Sequence, residues 1–254
     1  MNNSMNKISL VILLTSFLLV TLKVNAVSIS TTRLYLSPQS DTASIYVLNM
    51  ESESQTCSLS IKDTVIDANG FMQFLPKNQI AVDSAAKMIR FAPRRFEVSP
   101  KLHQNIKLLY RRRPGLEDGE YKGLLAIRCK KTISNSDKQV TIEPVIVHNV
   151  PVIVRTGEIK ISAVFDSINV SDKQVEVTIK IVGKRSITGD LEIIDKSSGQ
   201  ILASKKQMSI YSESPTKQVI LPITKSINFP LIIRFREDPK FGGNLLIEQL
   251  VKSL

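Results

Sequence analysis

The stretch from Val140 to Arg155, V-T-I-E-P-V-I-V-H-N-V-P-V-I-V-R, limits what this chain can fold into more than any other. Val and Ile dominate it, and such β-branched runs form strands. Pro144 and Pro151 have no N–H to give a sheet ladder, so they belong on an edge or at a bulge. Two readings follow. One is a buried sandwich strand with its prolines at bulges. The other is a long apolar edge, an aggregation hazard that proteins normally blunt, kept because it is lent to another protein's incomplete sheet.

The N-terminus has the pattern of a signal peptide. Lys7 precedes a mostly apolar run, Ile8 to Leu22, and Val24-Asn25-Ala26 offers small residues for cleavage. That run is short for a membrane span, and no later segment resembles one. Residues 1–26 are therefore set aside, and no membrane span is expected in the mature protein. The formal charge of +11 includes Lys7 and Lys23, which leaves +9 on residues 27–254. An exported chain meets little nucleic acid, and no basic motif here is interleaved with aromatics, so nucleic acid is not expected as a partner. The basic surface suits acidic protein partners or a membrane surface. Only two cysteines, Cys57 and Cys129, meet the oxidising compartment.

Between residues 27 and 156 the chain reads as short strands separated by turns. Ser28–Leu36, Thr42–Asn49, Thr56–Asp63, Met88–Val98, Asn105–Arg111 and Tyr121–Lys130 precede the Val140 strand. Asn69-Gly70, Pro114-Gly115 and Asp118-Gly119 mark turns. No helical period is present, and this spacing predicts an antiparallel sandwich. A second all-β run fills residues 157–254, from Ile159–Phe165 to Leu245–Leu250. The linker Arg155–Glu158 is very short, so the two domains should hold a fixed angle.

Chemistry is sparse. His103 and His148 are the only histidines, and the second reads as a polar residue on a solvent face. No H-E-x-x-H, G-x-S-x-G, P-loop or Cys-x-x-Cys is present. Glu117-Asp118 falls in a turn and reads as a turn former. Arg111-Arg112-Arg113 precedes a turn and reads as a solvated loop or a docking patch. No enzyme, cofactor or metal is expected.

Several segments together resemble the periplasmic pilus-assembly chaperones of the chaperone–usher pathway, in a divergent branch. S-I-S-T-T-R-L-Y-L carries Arg33 in the first strand, and F-E-V-S-P precedes N-I-K-L-L-Y-R. Glu120-Tyr121 opens the strand before the long one, which ends V-P-V-I-V-R at Arg155. Arg236-Glu237-Asp238-Pro239-Lys240-Phe241-Gly242-Gly243 looks like a lengthened form of the family's N-D-x-G-G turn.

The resemblance implies two immunoglobulin-like β-sandwich domains, residues 27–156 and 157–254, in the periplasm. It implies pilus (fimbrial) subunits and an outer-membrane usher as partners, with subunits held by donor-strand complementation. Arg33 matches the first of two basic residues that anchor the subunit's C-terminal carboxylate, as an arginine fork is suited to do. The second is a lysine in the family. Pro151 stands at that position here, and Arg128 and Lys130 are the substitutes considered. In register with the family, Val140, Ile142, Pro144 and Ile146 enter the subunit, while Val145 and Val147 face the chain's own core. The family's interdomain ion pairs fall on Glu120, Arg155 and Asp238. The fold assignment also places Cys57 and Cys129 on neighbouring strands of one sheet, where a disulfide is expected. The competing reading is a secreted or surface structural β-sandwich protein, such as a pilus subunit or adhesin. A subunit is usually one domain with an exposed N-terminal extension, and Arg33 interrupts any such extension here.

Overall fold

Strands and turns alternate through the whole of the computed structural model, which describes residues 27–76, 79, 81–112, 114–132 and 145–253. Residues 1–26, Arg113, Val140, Ile142 and Pro144 lie outside the described residues. The first half contains β1 (Val27–Ile29), β2 (Leu34–Leu36), β3 (Thr42–Asn49), β4 (Gln55–Lys62), β5 (Thr64–Ile66), β6 (Met72–Phe74), β7 (Ile89–Ala92), β8 (Arg95–Val98), β9 (His103–Tyr110), β10 (Gly119–Lys131) and β11 (Ile146–Thr156). The second half contains β12 (Ile161–Ser171), β13 (Gln174–Gly183), β14 (Ile187–Asp195), β15 (Ile201–Ile210), β16 (Thr216–Pro222), β17 (Leu231–Glu237), a 3-10 turn (Pro239–Phe241) and β18 (Leu246–Val251).

These strands build two immunoglobulin-like sandwiches. In the first, sheet β1-β3-β9-β7 faces sheet β2-β11-β10-β4-β8. Alternate residues point inward, as the pleat requires. Ile45 and Val47 of β3 and Ile106 and Leu108 of β9 meet Leu125 and Ile127 of β10 and Val150, Val152 and Val154 of β11. In the second, sheet β12-β13-β16 faces sheet β15-β14-β17-β18. Val175, Val177 and Ile179 of β13 share that core with Leu191 and Ile193 of β14 and Ile233 and Phe235 of β17.

Two segments that read as single strands divide between sheets. Residues 28–36 begin on β3 as β1 and finish as β2, parallel to β11. The crossing falls at Ser30–Arg33, where the Thr31 hydroxyl donates to the Arg33 carbonyl at 2.8 Å. Such local side-chain bonds compete with a ladder. Residues 88–98 likewise give β7 to one sheet and β8 to the other, with Pro93 between them. Proline has no N–H for either ladder.

The hairpin β5–β6 was not evident as strands, because each arm pairs only three residues. Its turn is fixed by Asp67, whose Oδ1 accepts from the amides of Asn69 and Phe71, both at 2.9 Å. Gly70 takes φ +73° there, a conformation that favours glycine.

Candidate functional site

β11 pairs with β10 along its whole length, from Ile146↔Cys129 to Thr156↔Gly119. On its other side β2 covers only Val152–Val154. The edge from Ile146 to Pro151 therefore has no strand partner among the described residues. The inward phase is that of Val150, Val152 and Val154, and the β10–β11 register runs without a bulge. Period two then puts Ile146 and His148 in the inward phase, and Val145, Val147, Asn149 and Pro151 on the outer face. This corrects the expectation that Val145 and Val147 face the chain's own core. Their exposures are 36% and 42%, and Ile146 in the other phase is 44% exposed. His148 is half-buried rather than on a solvent face. Three consecutive apolar residues thus stand open on both faces of an unpaired edge, an arrangement proteins normally avoid.

The outer face of that edge runs into a cleft of about 630 Å3 between the sandwiches. Thr32, Arg33 and Pro151 line it from the first sandwich, and Gln207, Tyr211 and Lys217 from the second. The strand crossing at Ser30–Arg33 delivers the arginine here. Its Nη2 donates to the Tyr211 hydroxyl at 2.8 Å, and the guanidinium carbon lies 5.5 Å from that ring's centroid. Its Nη1 is buried and has no hydrogen-bond partner among the described residues. A buried donor left unpaired is costly.

The far wall of the cleft is shaped by a bulge in β15, where Lys206 and Gln207 together oppose Asp190 of β14. Gln207 takes φ +51°, and its amide donates to Asp190 Oδ1 at 2.8 Å. The bulge re-aims the glutamine, which accepts from the Thr32 hydroxyl at 3.0 Å across the domain boundary. Lys217 is half-buried, its ammonium 5.5 Å from the centroid of the Phe71 ring on the β5–β6 hairpin. Burial holds that ammonium below the usual lysine range, and the positive charges of Lys205 and Arg33 press it lower. Arg128 and Lys130 are not in this cleft. They line a separate hollow with Arg95 on the outer face of β10, because they continue that strand away from the second sandwich.

Behind the cleft, charged groups join the two sandwiches. The Nε of Arg155 donates to Glu120 Oε2 at 2.8 Å, Nη1 to the carbonyls of Phe241 and Gly242 at 3.0 Å each, and Nη2 to that of Ser186 at 2.7 Å. Glu120 also accepts from the Ser186 amide at 3.0 and 3.1 Å. Lys122 Nζ lies 3.5 Å from Glu120, 3.1 Å from Asp83 and 2.7 Å from Glu213. Burial pushes the Glu120 carboxyl up, but Arg155, Lys122 and the donated hydrogen bonds hold it below the usual range. Burial likewise opposes the Lys122 charge, and Glu120, Glu213 and Asp83 hold it above the usual lysine range.

Asp238 is not a partner of Arg155, contrary to the expectation. Leu231, Ile233, Phe235 and Glu237 form the inward phase of β17, so the buried acid is Glu237, one residue earlier. Glu237 binds Arg185 at 2.5 and 3.1 Å. Asp238 instead caps the 3-10 turn, accepting from the Lys240 amide at 3.0 Å. Gly242 at the end of that turn is required, since a Cβ there would come within 2.5 Å of the Tyr35 ring. Lys122, Arg185, Glu213 and Tyr211 were not singled out from the sequence. Apart from the Glu120–Lys122 contact, the partners named for them lie far away in the chain, and no local pattern marks them.

Cys57 of β4 and Cys129 of β10 sit directly opposite one another and form a disulfide of 2.03 Å.

No family model matches the chain, and neither does any curated protein. Solved structures do show a likeness. The Pseudomonas aeruginosa CupB2 chaperone is 12% identical over 88% of this chain and 100% of that one, with a TM-score of 0.49. The Salmonella enterica SafA pilin in complex with the SafB chaperone gives 12%, 90%, 98% and 0.47. The CsuC–CsuE chaperone–tip adhesion subunit pre-assembly complex of Acinetobacter baumannii gives 12%, 88%, 97% and 0.46.

Proposed function

We propose that this protein is a periplasmic chaperone that holds a pilus (fimbrial) subunit by lending it a strand, and then passes it to an outer-membrane usher. The lent stretch is the open part of β11, Ile146–Pro151, with Val140 and Ile142 as further residues that enter the subunit. Arg33 takes the subunit's C-terminal carboxylate. One observation carries the reading: an open strand edge, Ile146–Pro151, with exposed apolar side chains at Ile146 and Val147, leads into a cleft where Arg33 keeps a buried, unpaired donor.

The physical logic is direct. A sheet edge offers main-chain hydrogen bonds to any extended chain, and its side chains add selectivity. Each Ile or Val taken from water into a partner's core contributes roughly 1.5–3 kcal/mol. A charge-assisted bond from Arg33 fixes where the incoming chain ends. The buried ion pairs behind the cleft keep the two walls in register.

Recovery of the full chain from periplasm tests the proposal. It should bring down a small β-rich subunit in equal amount, and Arg33→Ala should abolish that recovery without unfolding the protein. Incorporation of the chain itself into a fibre would instead support the structural-subunit reading.

A further inference from the structure

The geometry points to Lys217 as the second cation of the Arg33 site, reaching the partner's carboxylate from the opposite sandwich. This rests on the reading of Arg33 given above, and adds that the bound carboxylate is clasped between the two domains.

The composition of the cleft is the first ground. Arg33, Lys205, Lys206 and Lys217 all line it, and no Asp or Glu does. Lys206 is satisfied by Asp190 and Glu192, both at 3.0 Å. Lys205 is exposed, so water serves it. Lys217 is half-buried and has no acidic partner among the described residues, its near neighbour being the face of Phe71. A half-desolvated ammonium lining the same cleft as a buried, unpaired guanidinium nitrogen is an unfavourable arrangement until an anion arrives.

The second ground is Pro151. It lines the same cleft on β11, opposite Leu124 of β10, and brings neither charge nor N–H. The β11 wall therefore adds no cation of its own, whereas Lys217 faces the cleft from β16. The lysine is held in place by the β5–β6 hairpin, since Phe71 covers it and the Gly70 turn packs beside Ser214. With Arg33 on one sandwich and Lys217 on the other, an anion bound between them would tie the two domains together. A carboxylate suits the pair, because the arginine fork binds it in-plane and the ammonium acts as a point charge.

The test uses the mature chain and three N-acetylated peptides of alternating threonine and valine. One ends in a free carboxylate, the second is amidated, and the third is amidated with glutamate as its last residue. The second and third separate a chain terminus from a side-chain carboxylate. Wild type should bind the free-carboxylate peptide about tenfold or more tightly than either amide, the difference expected of charge-assisted bonds. Lys217→Met keeps the stem over Phe71 and should weaken that preference several-fold, Lys217→Arg should restore it, and Lys205→Met should keep it. Thermal melts of each variant show whether it is folded. Full preference in folded Lys217→Met, lost only in Arg33→Met, overturns the assignment of Lys217 and leaves the role of Arg33 standing. Equal binding of all three peptides by wild type overturns the carboxylate site as a whole.

Discussion

Arg155 and Glu120 face each other directly across β11 and β10, and their side chains meet at 2.8 Å inside the domain junction. Both are buried, and the remaining donors of Arg155 go to carbonyls of the second sandwich. The pair therefore converts a strand end of one domain into an anchor for the other. Breaking a buried pair from one side leaves an uncompensated charge and costs about 3–5 kcal/mol. Glu120→Ala should show a loss of that size in chemical denaturation, because Arg155 loses its acidic partner, whereas Lys122 keeps Asp83 and Glu213. A double-mutant cycle with Arg155→Ala should give strong coupling.

The same pair sets the response to pH. The folded pKa of Glu120 lies below its unfolded value. Its stabilisation is therefore complete above the unfolded value of about 4.3 and is lost as pH falls through the depressed folded value. The folded pKa of Lys122 is raised. Its contribution is complete below about 10.4 and is lost as pH rises through the raised folded value. Denaturation curves from acid to alkali should show both declines. Glu120→Gln should flatten the acid limb.

The disulfide makes a separate contribution. Cys57 and Cys129 are 72 residues apart in sequence. Closing a loop of that size stabilises by about 4 kcal/mol in the chain-entropy view. Cys57→Ala with Cys129→Ala should lose that amount. Mass spectrometry of the alkylated, unreduced protein should find neither cysteine modified.

The two parts of β11 should respond differently to substitution. Ile146→Thr and Val147→Thr change exposed positions, so stability should move by no more than about 0.5 kcal/mol while partner recovery falls. Val152→Thr puts a hydroxyl into the first core and should cost about 1–3 kcal/mol. Thermal melts alongside partner recovery separate the two effects.

Much of the fold was legible because period-two alternation and Gly/Pro/Asn turns survive in this sequence almost throughout. Pro151 marks the strand whose first part, Ile146–Pro151, has the open edge. The errors share a cause: strand identity is local, but side-chain phase and sheet membership are not. Val145 and Val147 were given to the wrong face, although counting back from the buried Val154, Val152 and Val150 settles it. Asp238 follows from motif likeness alone, where the inward phase of β17 buries Glu237 and pairs it with Arg185. Residues 28–36 read as one strand because nothing local says that β1 and β2 lie in different sheets. Tyr211 and Lys217 were invisible, since only the meeting of two domains brings them to Arg33 and Phe71.

Hydrogen exchange along β11 tests the central claim, that the open edge accepts a partner's strand, most directly. Amides of residues 146–150 on the side away from β10 should exchange rapidly in the free protein, because no strand among the described residues covers them there. When the protein is recovered with its subunit, those amides should become strongly protected, while β13 in the second sandwich stays unchanged. Unchanged exchange at residues 146–150 in a stable complex would contradict the account.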